Sequence, residues 1–297
     1  MNIGLITVRG EDYHPNYRLI EAAREKGHRA ALIHPYRIWP TVKTDALGLS
    51  PKPDPMPDVV LPRQGATLGD TCLSLIRHFD LMGIPVINGA DAIRLSKDKF
   101  LTAQTLSAVG IPVPETILVN TPEGFRHAVS QLGGLPVVAK QISSRQGNGV
   151  MLITTEAEIH SMVETQLDRR TGLLVQRFIP PGRRREIRIL MVGKKPVGAM
   201  ELSPNPGDFR ANFHLTGKSK KVDLEPLVES LAVRASDTIG LDIAGIDVMI
   251  DQQEGPYVIE VNYSPGFKGL EAATGVDVAR HVVQYVWERI QPSSNHT

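Results

Sequence analysis

Short apolar runs alternate with helical patterns along the first ninety residues. Residues 3–8 form a largely apolar run typical of a buried parallel strand, and residues 16–26 repeat their apolar positions with a helical period. The predicted strands are residues 3–8, 29–34, 58–61 and 85–88, and the predicted helices are residues 16–26 and 67–82. This β-α-β order predicts a doubly wound α/β domain over residues 1–92.

After this domain the pattern changes to strands that pair with their neighbours in the sequence. The predicted strands are residues 115–119, 135–141, 150–153 and 173–178, with a hairpin formed by residues 186–192 and 195–201. The predicted helices are residues 96–109, a helix capped by Thr121 with Pro122 at its first position, and residues 225–239 and 276–290. The order predicts α+β structure for the rest of the chain.

A second hairpin is predicted from residues 245–250 and 257–262, which alternate side chains with period two around a polar segment. If Ile250 lies opposite Tyr257, then Asp247 faces Glu260, and Asn262 shares the face of Glu260. Facing carboxylates repel unless a cation lies between them. Oxygen ligands of this kind suit Mg²⁺ or Mn²⁺, whereas an exposed hairpin with ordinary surface acids is the alternative.

Composition and charge narrow the function classes. The chain has 297 residues, of which 41% are hydrophobic and 22% are charged, and its formal net charge is +1. No global field therefore favours a nucleic acid or a membrane as a direct partner. The single cysteine, Cys72, excludes an internal disulfide and a cysteine-cluster metal site. The first residues enter a strand without the features of a signal peptide, so a cytoplasmic location is expected.

Two stretches could bind anions. Arg63 follows a predicted parallel strand, at the edge where open α/β sheets bind ligands, so it could hold a carboxylate or a phosphate; a solvent-exposed arginine at a helix entry is the alternative. The loop of residues 143–149 contains Gly147 and Gly149 between two strands and could cover phosphates, or simply turn a hairpin. A Walker A loop is excluded because Asn212 stands where its leading glycine is required, and the first β-α loop lacks a dinucleotide fingerprint.

Several segments together resemble ATP-grasp ligases of the RimK type, the α-L-glutamate ligases that add glutamate to the C-terminus of a small-subunit ribosomal protein. The resemblance spans nearly the whole chain. The matching segments are residues 88–99, 137–140, 146–150, 207–212 and 260–266.

The resemblance implies an α/β first domain, a central lobe over residues 93–180 and a C-terminal lobe over residues 181–297, with ATP clamped between the two lobes. The implied phosphate ligands are Lys99, Lys140, Gly147 and Gly149. The implied adenine and ribose contacts are Gln176, Arg177, Phe178, Ile179 and Glu186. Arg210, Ala211 and Asn212 would contact the nucleotide, with Arg210 and Asn212 approaching the transferred phosphate. Asp247, Glu260 and Asn262 would hold two Mg²⁺ or Mn²⁺ ions.

The implied reaction phosphorylates an acceptor carboxylate, and the amino group of L-glutamate then attacks the acyl phosphate to form an amide. A protein C-terminus is the implied acceptor, and the alternatives are a small-molecule cofactor or an amino-group carrier protein. A non-catalytic nucleotide-binding protein is an alternative of another class, and a dehydrogenase is a third that rests on the first domain alone. Whether the protein forms a homo-oligomer stays open.

The sequence departs from the family pattern at two positions. Arg177 stands where an acidic residue is common in the adenine stretch, and Glu186 stands where aspartate is usual at the ribose position. The three consecutive arginines at residues 183–185 could gather an acidic substrate tail, with a solvated loop as the alternative.

Overall fold

The computed structural model of the protein describes residues 1–63, 69–142, 149–203, 209 and 219–291. Within these ranges the chain forms one parallel sheet, two antiparallel sheets and a small hairpin. The predicted parallel-sheet domain followed by two α+β lobes is thereby confirmed. None of the helices in these ranges is both long enough and apolar enough to cross a membrane.

The first domain is built on a three-stranded parallel sheet in the order β2-β1-β5. Its central strand is buried because helices cover it, and Leu5 and Ile6 are fully buried. The elements are β1 (Asn2–Ile6), α1 (His14–Glu25), β2 (Arg29–Ile33), β3 (Trp39–Lys43), β4 (Ala46–Ser50), β5 (Val59–Pro62) and α2 (Asp70–Leu81). Strands β3 and β4 form the small hairpin, which the sequence pattern did not predict.

Only part of the predicted strand at residues 85–88 forms: Val86 makes a single parallel bridge to Val60, with two backbone hydrogen bonds of 2.8 and 2.9 Å. The chain leaves the sheet at Asn88, whose buried side chain is turned toward the C-terminal lobe. Its amide makes four hydrogen bonds of 2.7–2.9 Å to backbone groups of Asp242, Ile243 and Tyr263. Hydrogen bonds to another part of the chain therefore replace a strand ladder here.

The single helix predicted over residues 96–109 is wrong, because two helices meet at Asp98. They are α3 (Ala90–Lys97), which spans the predicted boundary at residue 92, and α4 (Lys99–Ala108). Asp98 has an extended backbone, and its carboxylate accepts hydrogen bonds from the N–H groups of Phe100 and Leu101 at 2.8 and 2.9 Å. This N-cap starts a new helix at Lys99 and presents that lysine at its first position.

The central lobe is a four-stranded antiparallel sheet in the order β6-β9-β7-β8, with helices on one face. Thr121 caps α5 as predicted, since its hydroxyl accepts from Gly124 N at 3.0 Å and Pro122 begins the helix. The elements are β6 (Thr116–Val119), α5 (Pro122–Gln131), β7 (Val137–Lys140), β8 (Val150–Ile153), α6 (Glu156–Gln166) and β9 (Leu173–Arg177).

The C-terminal lobe is a five-stranded antiparallel sheet in the order β12-β11-β10-β13-β14. One face of it is apolar along its length and packs on helix α7 through residues such as Ile189 and Ile246. The other face is charged at one end and apolar at the other, where Leu190 and Ile243 pack against the first domain and the last helix. The elements are β10 (Arg184–Val192), β11 (Lys195–Leu202), β12 (Ser219–Lys221), α7 (Pro226–Ile239), β13 (Ile243–Asp251), β14 (Gly255–Asn262), α8 (Lys268–Thr274) and α9 (Val278–Ile290).

The β13–β14 hairpin pairs Asp247 with Glu260, as the sequence pattern predicts. The register assumed near the turn is nevertheless wrong, because Ile250 lies opposite Pro256 and not opposite Tyr257. A bulge at Ile259 places one extra residue on β14 between these two points. The bulge compensates for the one-residue offset at the turn, so the two carboxylates face each other.

Candidate active site

A cleft between the two antiparallel sheets collects most of the predicted site residues. Its empty volume is about 1380 Å³, including the part that opens to solvent. The predicted residues that line it are Lys99, Lys140, Gln176, Arg177, Ile179, Glu186, Asp247 and Glu260. The central lobe forms one wall and the C-terminal lobe the other, so the cleft joins side chains that lie far apart in the sequence.

Lys140, the last residue of β7, projects from the central-lobe wall. Its Nζ donates to Gln176 Oε1 at 2.6 Å, and the Gln176 amide in turn donates to Thr116 Oγ1 at 2.8 Å, which fixes the direction of the lysine. Burial lowers the pKa of Lys140 to about 8, although the carboxylate of Glu260 acts in the opposite direction. An anion that enters the cleft would stabilise the charged form of this lysine.

Lys99 and Gly149 lie at the same end of the central lobe. Lys99 lines the cleft at the first position of α4, and its backbone N–H donates to Ile142 O at 3.3 Å, just after β7. Gly149 has a φ of +75°, and a Cβ there would lie 2.7 Å from Gln141 Oε1, so this position requires glycine. The predicted flap residue Gly147 lies outside the described residues.

The predicted adenine stretch continues from strand β9 into the linker between the lobes. Gln176 and Ile179 face the cleft, whereas Phe178 packs edge-on against the Phe209 ring at 6.3 Å. Arg177 also lines the cleft, but its Nη1 and Nη2 donate to the two carboxylate oxygens of Glu254 at 2.9 and 2.5 Å.

This ion pair links the end of the central lobe to the turn of the β13–β14 hairpin. Arg177 Nη2 also donates to the Tyr257 hydroxyl at 2.9 Å. Hydrogen bonds from Arg177 and Tyr257 lower the pKa of Glu254 to about 2. Arg177, the departure from the family pattern, therefore has a partner in the opposite lobe.

Glu186 lies on β10 at the position that the resemblance assigns to the ribose. Its carboxylate accepts from Arg184 Nε at 2.8 Å, and the other nitrogens of Arg184 donate to the carbonyl oxygens of Ile179 and Phe209. Burial raises the pKa of Glu186, and the neighbouring Arg184 opposes that shift. Arg184 thus fixes both Glu186 and the linker that passes over it.

The three consecutive arginines do not form a solvated loop, because Arg184 and Arg185 begin β10 and the side chain of Arg184 is only 6% exposed. That they gather an acidic substrate tail stays a prediction. Arg183 donates to Asp251 at 2.6 Å, and Arg185 donates to Glu201 at 3.0 Å, in addition to the Arg184 contacts. Each guanidinium has a carboxylate partner within the C-terminal lobe.

Asp247 and Glu260 face each other on adjacent strands, and Arg188 lies on the other side of Asp247 on β10. Arg188 Nε and Nη2 donate to the two oxygens of Asp247, both at 2.7 Å. The side chain of Asp247 is only 20% exposed, so the alternative of ordinary surface acids is wrong. Glu260 has no hydrogen bond to any residue that the structure describes, but its charge attracts Lys140 and Arg188.

Asn262 lies one cross-strand pair further along the hairpin, opposite Gly245. A Cβ at Gly245 would lie 3.5 Å from the Cβ of Asn262, so the two positions share a face of the sheet. It would also lie 2.9 Å from the Cβ of Pro265, which explains why glycine is needed here. Asn262 therefore shares a face with the acidic pair but lies beyond the cleft lining.

The donor set fits a hard cation. Two opposed carboxylates and an amide on one face supply the oxygen ligands that Mg²⁺ and Mn²⁺ prefer. Across the described parts of the chain, no three His, Cys, Asp or Glu side chains cluster closely enough to hold a metal by themselves. A metal here would need ligands besides these carboxylates, and a cation that binds Asp247 would compete with Arg188.

Arg188 is a site residue that sequence reasoning missed, and Arg184 was predicted only as part of the run at residues 183–185, without its contact to Glu186. Both lie on β10 at alternate positions with Glu186 between them, so all three project from one face of the strand. That alternation of charges within an otherwise apolar strand was the available signal. The predicted residues Arg210, Ala211 and Asn212 lie outside the described residues.

The chain matches the models of a known protein family. A family model for the RimK PreATP-grasp domain matches residues 1–93, and one for the RimK-like ATP-grasp domain matches residues 96–286. The probable alpha-L-glutamate ligase 1 of Shewanella amazonensis is 34% identical over 96% of this chain and 95% of its own length. The probable alpha-L-glutamate ligase of Syntrophotalea carbinolica is 34% identical over 100% of this chain and 99% of its own length.

Solved structures show the same fold. The RimK domain ATP-grasp protein of Sphaerobacter thermophilus superposes with a TM-score of 0.75 at 26% identity, over 96% of this chain and 99% of that one. The ATP-grasp ligase PsnB, complexed with minimal precursor, Mg and ADP, superposes with a TM-score of 0.72 at 17% identity, over 97% of each chain. With two family models that span almost the whole chain and full-length relatives at 34% identity, this protein belongs to the RimK-like family of ATP-grasp ligases.

Proposed function

We propose that the protein adds L-glutamate to a carboxylate of an acceptor in an ATP- and divalent-metal-dependent reaction, with the C-terminus of a ribosomal protein as the acceptor. The observation that carries the proposal is the cleft in which Lys140 on one wall faces the opposed pair Asp247 and Glu260 on the other. The names of the full-length relatives support glutamate as the added amino acid. The use of ATP favours the cytoplasm as the site of the reaction.

The basic residues of the cleft are assigned to the phosphates of ATP, and the acidic residues to the ribose and the metal ions. Lys99 and Lys140 bind the phosphates of ATP, while Gln176 and Ile179 line the adenine pocket and Glu186 holds the ribose. Asp247, Glu260 and Asn262 would hold two Mg²⁺ or Mn²⁺ ions, which would supply positive charge against the phosphates during transfer. We also assign the contact with the transferred phosphate to Arg210 and Asn212, which lie outside the described residues.

The reaction proceeds in two steps that need no protein nucleophile. An oxygen of the acceptor carboxylate attacks the γ-phosphorus of ATP, and the bond from that phosphorus to the leaving ADP oxygen breaks. The amino nitrogen of glutamate then attacks the carbonyl carbon of the acyl phosphate, phosphate leaves, and the nitrogen loses a proton. The protein supplies positioning and charge neutralisation, which dominate the catalysis of phosphoryl transfer.

Exclusion of water is the second requirement, because an acyl phosphate hydrolyses readily. The cleft walls are apolar between the charged groups, with Val138, Leu174 and Met249 among the lining residues. Arg184 closes one end by binding the carbonyl groups of Ile179 and Phe209. These contacts reduce the access of bulk water to the reacting atoms.

The test is a mass-spectrometric assay with the protein, Mg²⁺, ATP and L-glutamate. Peptides that end in the C-terminal sequences of ribosomal proteins serve as acceptors, and the same peptides with an amidated C-terminus are the matched controls. We expect glutamyl additions on the free carboxylates alone, together with ADP release that depends on glutamate. If the enzyme modified a small-molecule cofactor or a carrier protein but none of the peptides, the proposed acceptor would be wrong. ADP release that does not depend on glutamate would overturn the proposed donor.

A further inference from the structure

Arg63 is a buried cation that the proposed chemistry leaves without a role. It follows β5 at the edge of the parallel sheet, where its backbone N–H donates to Ile6 O at the end of β1 at 2.8 Å. Only 9% of the residue is exposed, so the sequence-based alternative of a solvent-exposed arginine is wrong. The carboxyl ends of adjacent parallel strands are the edge where open α/β sheets bind their ligands.

Within the described ranges, the guanidinium of Arg63 has few hydrogen-bond partners. Nη2 donates to Pro265 O at 2.7 Å, and the group stands over the Phe267 ring at 5.8 Å. Nε is buried and has no hydrogen-bond partner among the described residues. A guanidinium has five N–H donors, so these contacts with described residues satisfy only part of its capacity.

The other arginines near the active site provide a comparison. Arg184 and Arg188 pair with Glu186 and Asp247, and Arg177 pairs with Glu254 even though its own Nε lacks a partner. No carboxylate among the described residues forms an ion pair with Arg63. Burial of a cation is costly, and it lowers the pKa of Arg63 to about 10, although the nearby Tyr13 acts in the opposite direction, so the group stays charged near neutral pH.

The position of Arg63 connects this cation to the active site. Its partner Pro265 belongs to the loop that follows Asn262, and the Cβ of Pro265 lies close to Gly245, two residues from Asp247. The first domain therefore brings a guanidinium that has no carboxylate partner among the described residues to the loop that follows the acidic hairpin. The Phe267 ring under the guanidinium also contacts His14, whose Nδ1 is likewise buried without a partner.

We infer that Arg63 binds a carboxylate of an organic substrate that the ligase reaction does not consume. The inference rests on the proposed function, because glutamate that reacts through its amino group keeps two carboxylates that need counter-charges. A second carboxylate on the acceptor has the same chemistry. In either case, the substrate carboxylate would accept charge-assisted hydrogen bonds from Arg63, which lies next to the loop that follows Asn262.

The experiment compares wild-type protein with Arg63→Met by isothermal titration calorimetry in the presence of Mg²⁺ and the ATP analogue AMP-PNP. The titrants are L-glutamate, L-glutamine, which lacks the side-chain carboxylate, and a glutamate-ended acceptor peptide in free and amidated forms. In Arg63→Met, the Kd of the titrant whose carboxylate contacts Arg63 should be about 10- to 100-fold higher than in the wild type. This is the range for loss of a hydrogen bond to a charged group. The Kd of AMP-PNP is expected to stay within about 2-fold.

The titrants distinguish the two sources of the carboxylate. A loss that affects glutamate but not the peptide assigns Arg63 to the incoming amino acid, and the reverse assigns it to the acceptor. Glutamine that binds equally to both proteins would identify the side-chain carboxylate as the group recognised. Unchanged affinity for glutamate and for the peptide in Arg63→Met would overturn the inference. If the wild-type protein bound AMP-PNP but neither L-glutamate nor the free acceptor peptide, the proposed function itself would be wrong.

A purely structural role for Arg63 predicts a different result. Arg18→Met is the matched control, because Arg18 lies in the same domain and pairs with Glu271 and Asp277. We expect Arg18→Met to lower thermal stability with carboxylate affinity unchanged. If Arg63→Met fails to fold, Arg63→Lys is compared in its place, since it keeps the charge but loses the planar fork. An equal loss of AMP-PNP and carboxylate binding in either Arg63 variant would make Arg63 structural and overturn the inference.

Discussion

The central-lobe wall of the cleft presents Lys140, whose pKa burial lowers to about 8, whereas the C-terminal wall presents acids that largely have arginine partners. An anion that enters the cleft therefore stabilises the charged form of Lys140 on the first wall. In the second wall, Arg188 neutralises Asp247, whereas Glu260 has no hydrogen bond to a described residue. The difference fits a site for a metal–nucleotide complex, because phosphates neutralise one wall and a cation binds the other.

The two walls also differ in what lies behind them. The central-lobe core, which includes Phe125 and Val175, is drawn from that lobe alone. The five-stranded sheet shares both of its cores with the first domain, where Phe79 packs in the cluster of Ile246. The C-terminal wall is thus one body with the first domain, while the orientation of the central wall depends on a few local contacts such as the Arg177–Glu254 pair.

The largest effect is expected from the acids of the C-terminal wall. Glu260→Gln and Asp247→Asn should each reduce ADP release by on the order of 10³-fold, because each removes a charge that holds the cation. Their stabilities should differ. Glu260→Gln should unfold like the wild type, whereas Asp247→Asn removes the carboxylate that accepts both hydrogen bonds of Arg188 and should lower the free energy of unfolding by about 3 kcal/mol.

Urea unfolding and glutamate-dependent ADP release, measured on both variants, test this contrast. Glu201→Gln provides a control, since Glu201 pairs with Arg185 in the same lobe and does not line the cleft. Wild-type activity in either acid variant would contradict the metal assignment. Equal stability of the two variants would contradict the view that Arg188 depends on Asp247.

The next largest effect is expected at Lys140 on the central wall. Lys140→Met should lower kcat/KM for ATP on the order of 10²-fold, because the variant removes a charge that binds phosphate in a water-poor cleft. Lys140→Arg should retain more of the activity, and Lys195→Met, at an exposed strand position, should retain all of it. Steady-state kinetics with ATP as the varied substrate measures the effect, and a Lys140→Met enzyme with normal kcat/KM would remove Lys140 from the site.

The lowered pKa of Lys140 also predicts a pH dependence. The free protein loses this charge as the pH rises through about 8, so kcat/KM for ATP should fall above that pH. The folded protein binds fewer protons than the unfolded chain between about pH 8 and 10.5, so the contribution of Lys140 to stability rises over the same window. Activity loss without unfolding is therefore expected, and Lys140→Arg should shift the alkaline limb upward. A profile identical in both proteins would assign the limb to another group.

The hairpin shows how far the sequence predicts the site. Period-two alternation correctly predicted that Asp247 faces Glu260, although the assumed pairing of Ile250 with Tyr257 was wrong. Alternation reports which face a side chain occupies, but it does not report a bulge such as the one at Ile259. The facing pair was predicted correctly because the bulge cancelled the offset at the turn.

Contacts between strands that are distant in the sequence were not predictable in the same way. Arg188 meets Asp247 only because β10 pairs with β13, and local periodicity does not specify that pairing. The β3–β4 hairpin was missed because Trp39 and Val42 are largely exposed, so its apolar residues mark no buried face. The helix break at Asp98 depends on a side-chain cap inside an otherwise helical pattern.

A smaller effect is expected at the contact that joins the two walls. Arg177→Glu places two negative charges opposite each other at Glu254 and should raise the KM for ATP by about 5-fold, as expected for a partly exposed pair. Glu254→Arg should have a similar effect, and the double variant should recover most of the loss because it restores the ion pair in reverse. Additive defects in the double variant would show that the pair does not orient the central lobe.

The smallest effect concerns the separate cores behind the walls. Phe125→Leu and Phe79→Leu change two fully buried side chains, and each should lower the free energy of unfolding by about 1–2 kcal/mol. Phe125→Leu should increase hydrogen exchange within the central-lobe strands only, because its contacts end there. Phe79→Leu should increase exchange in both the first domain and the five-stranded sheet, which share its cluster. If Phe125→Leu increased exchange in β10 and β13 as strongly as in β7 and β9, the two walls would be one cooperative unit and the proposed independence of the central wall would be wrong.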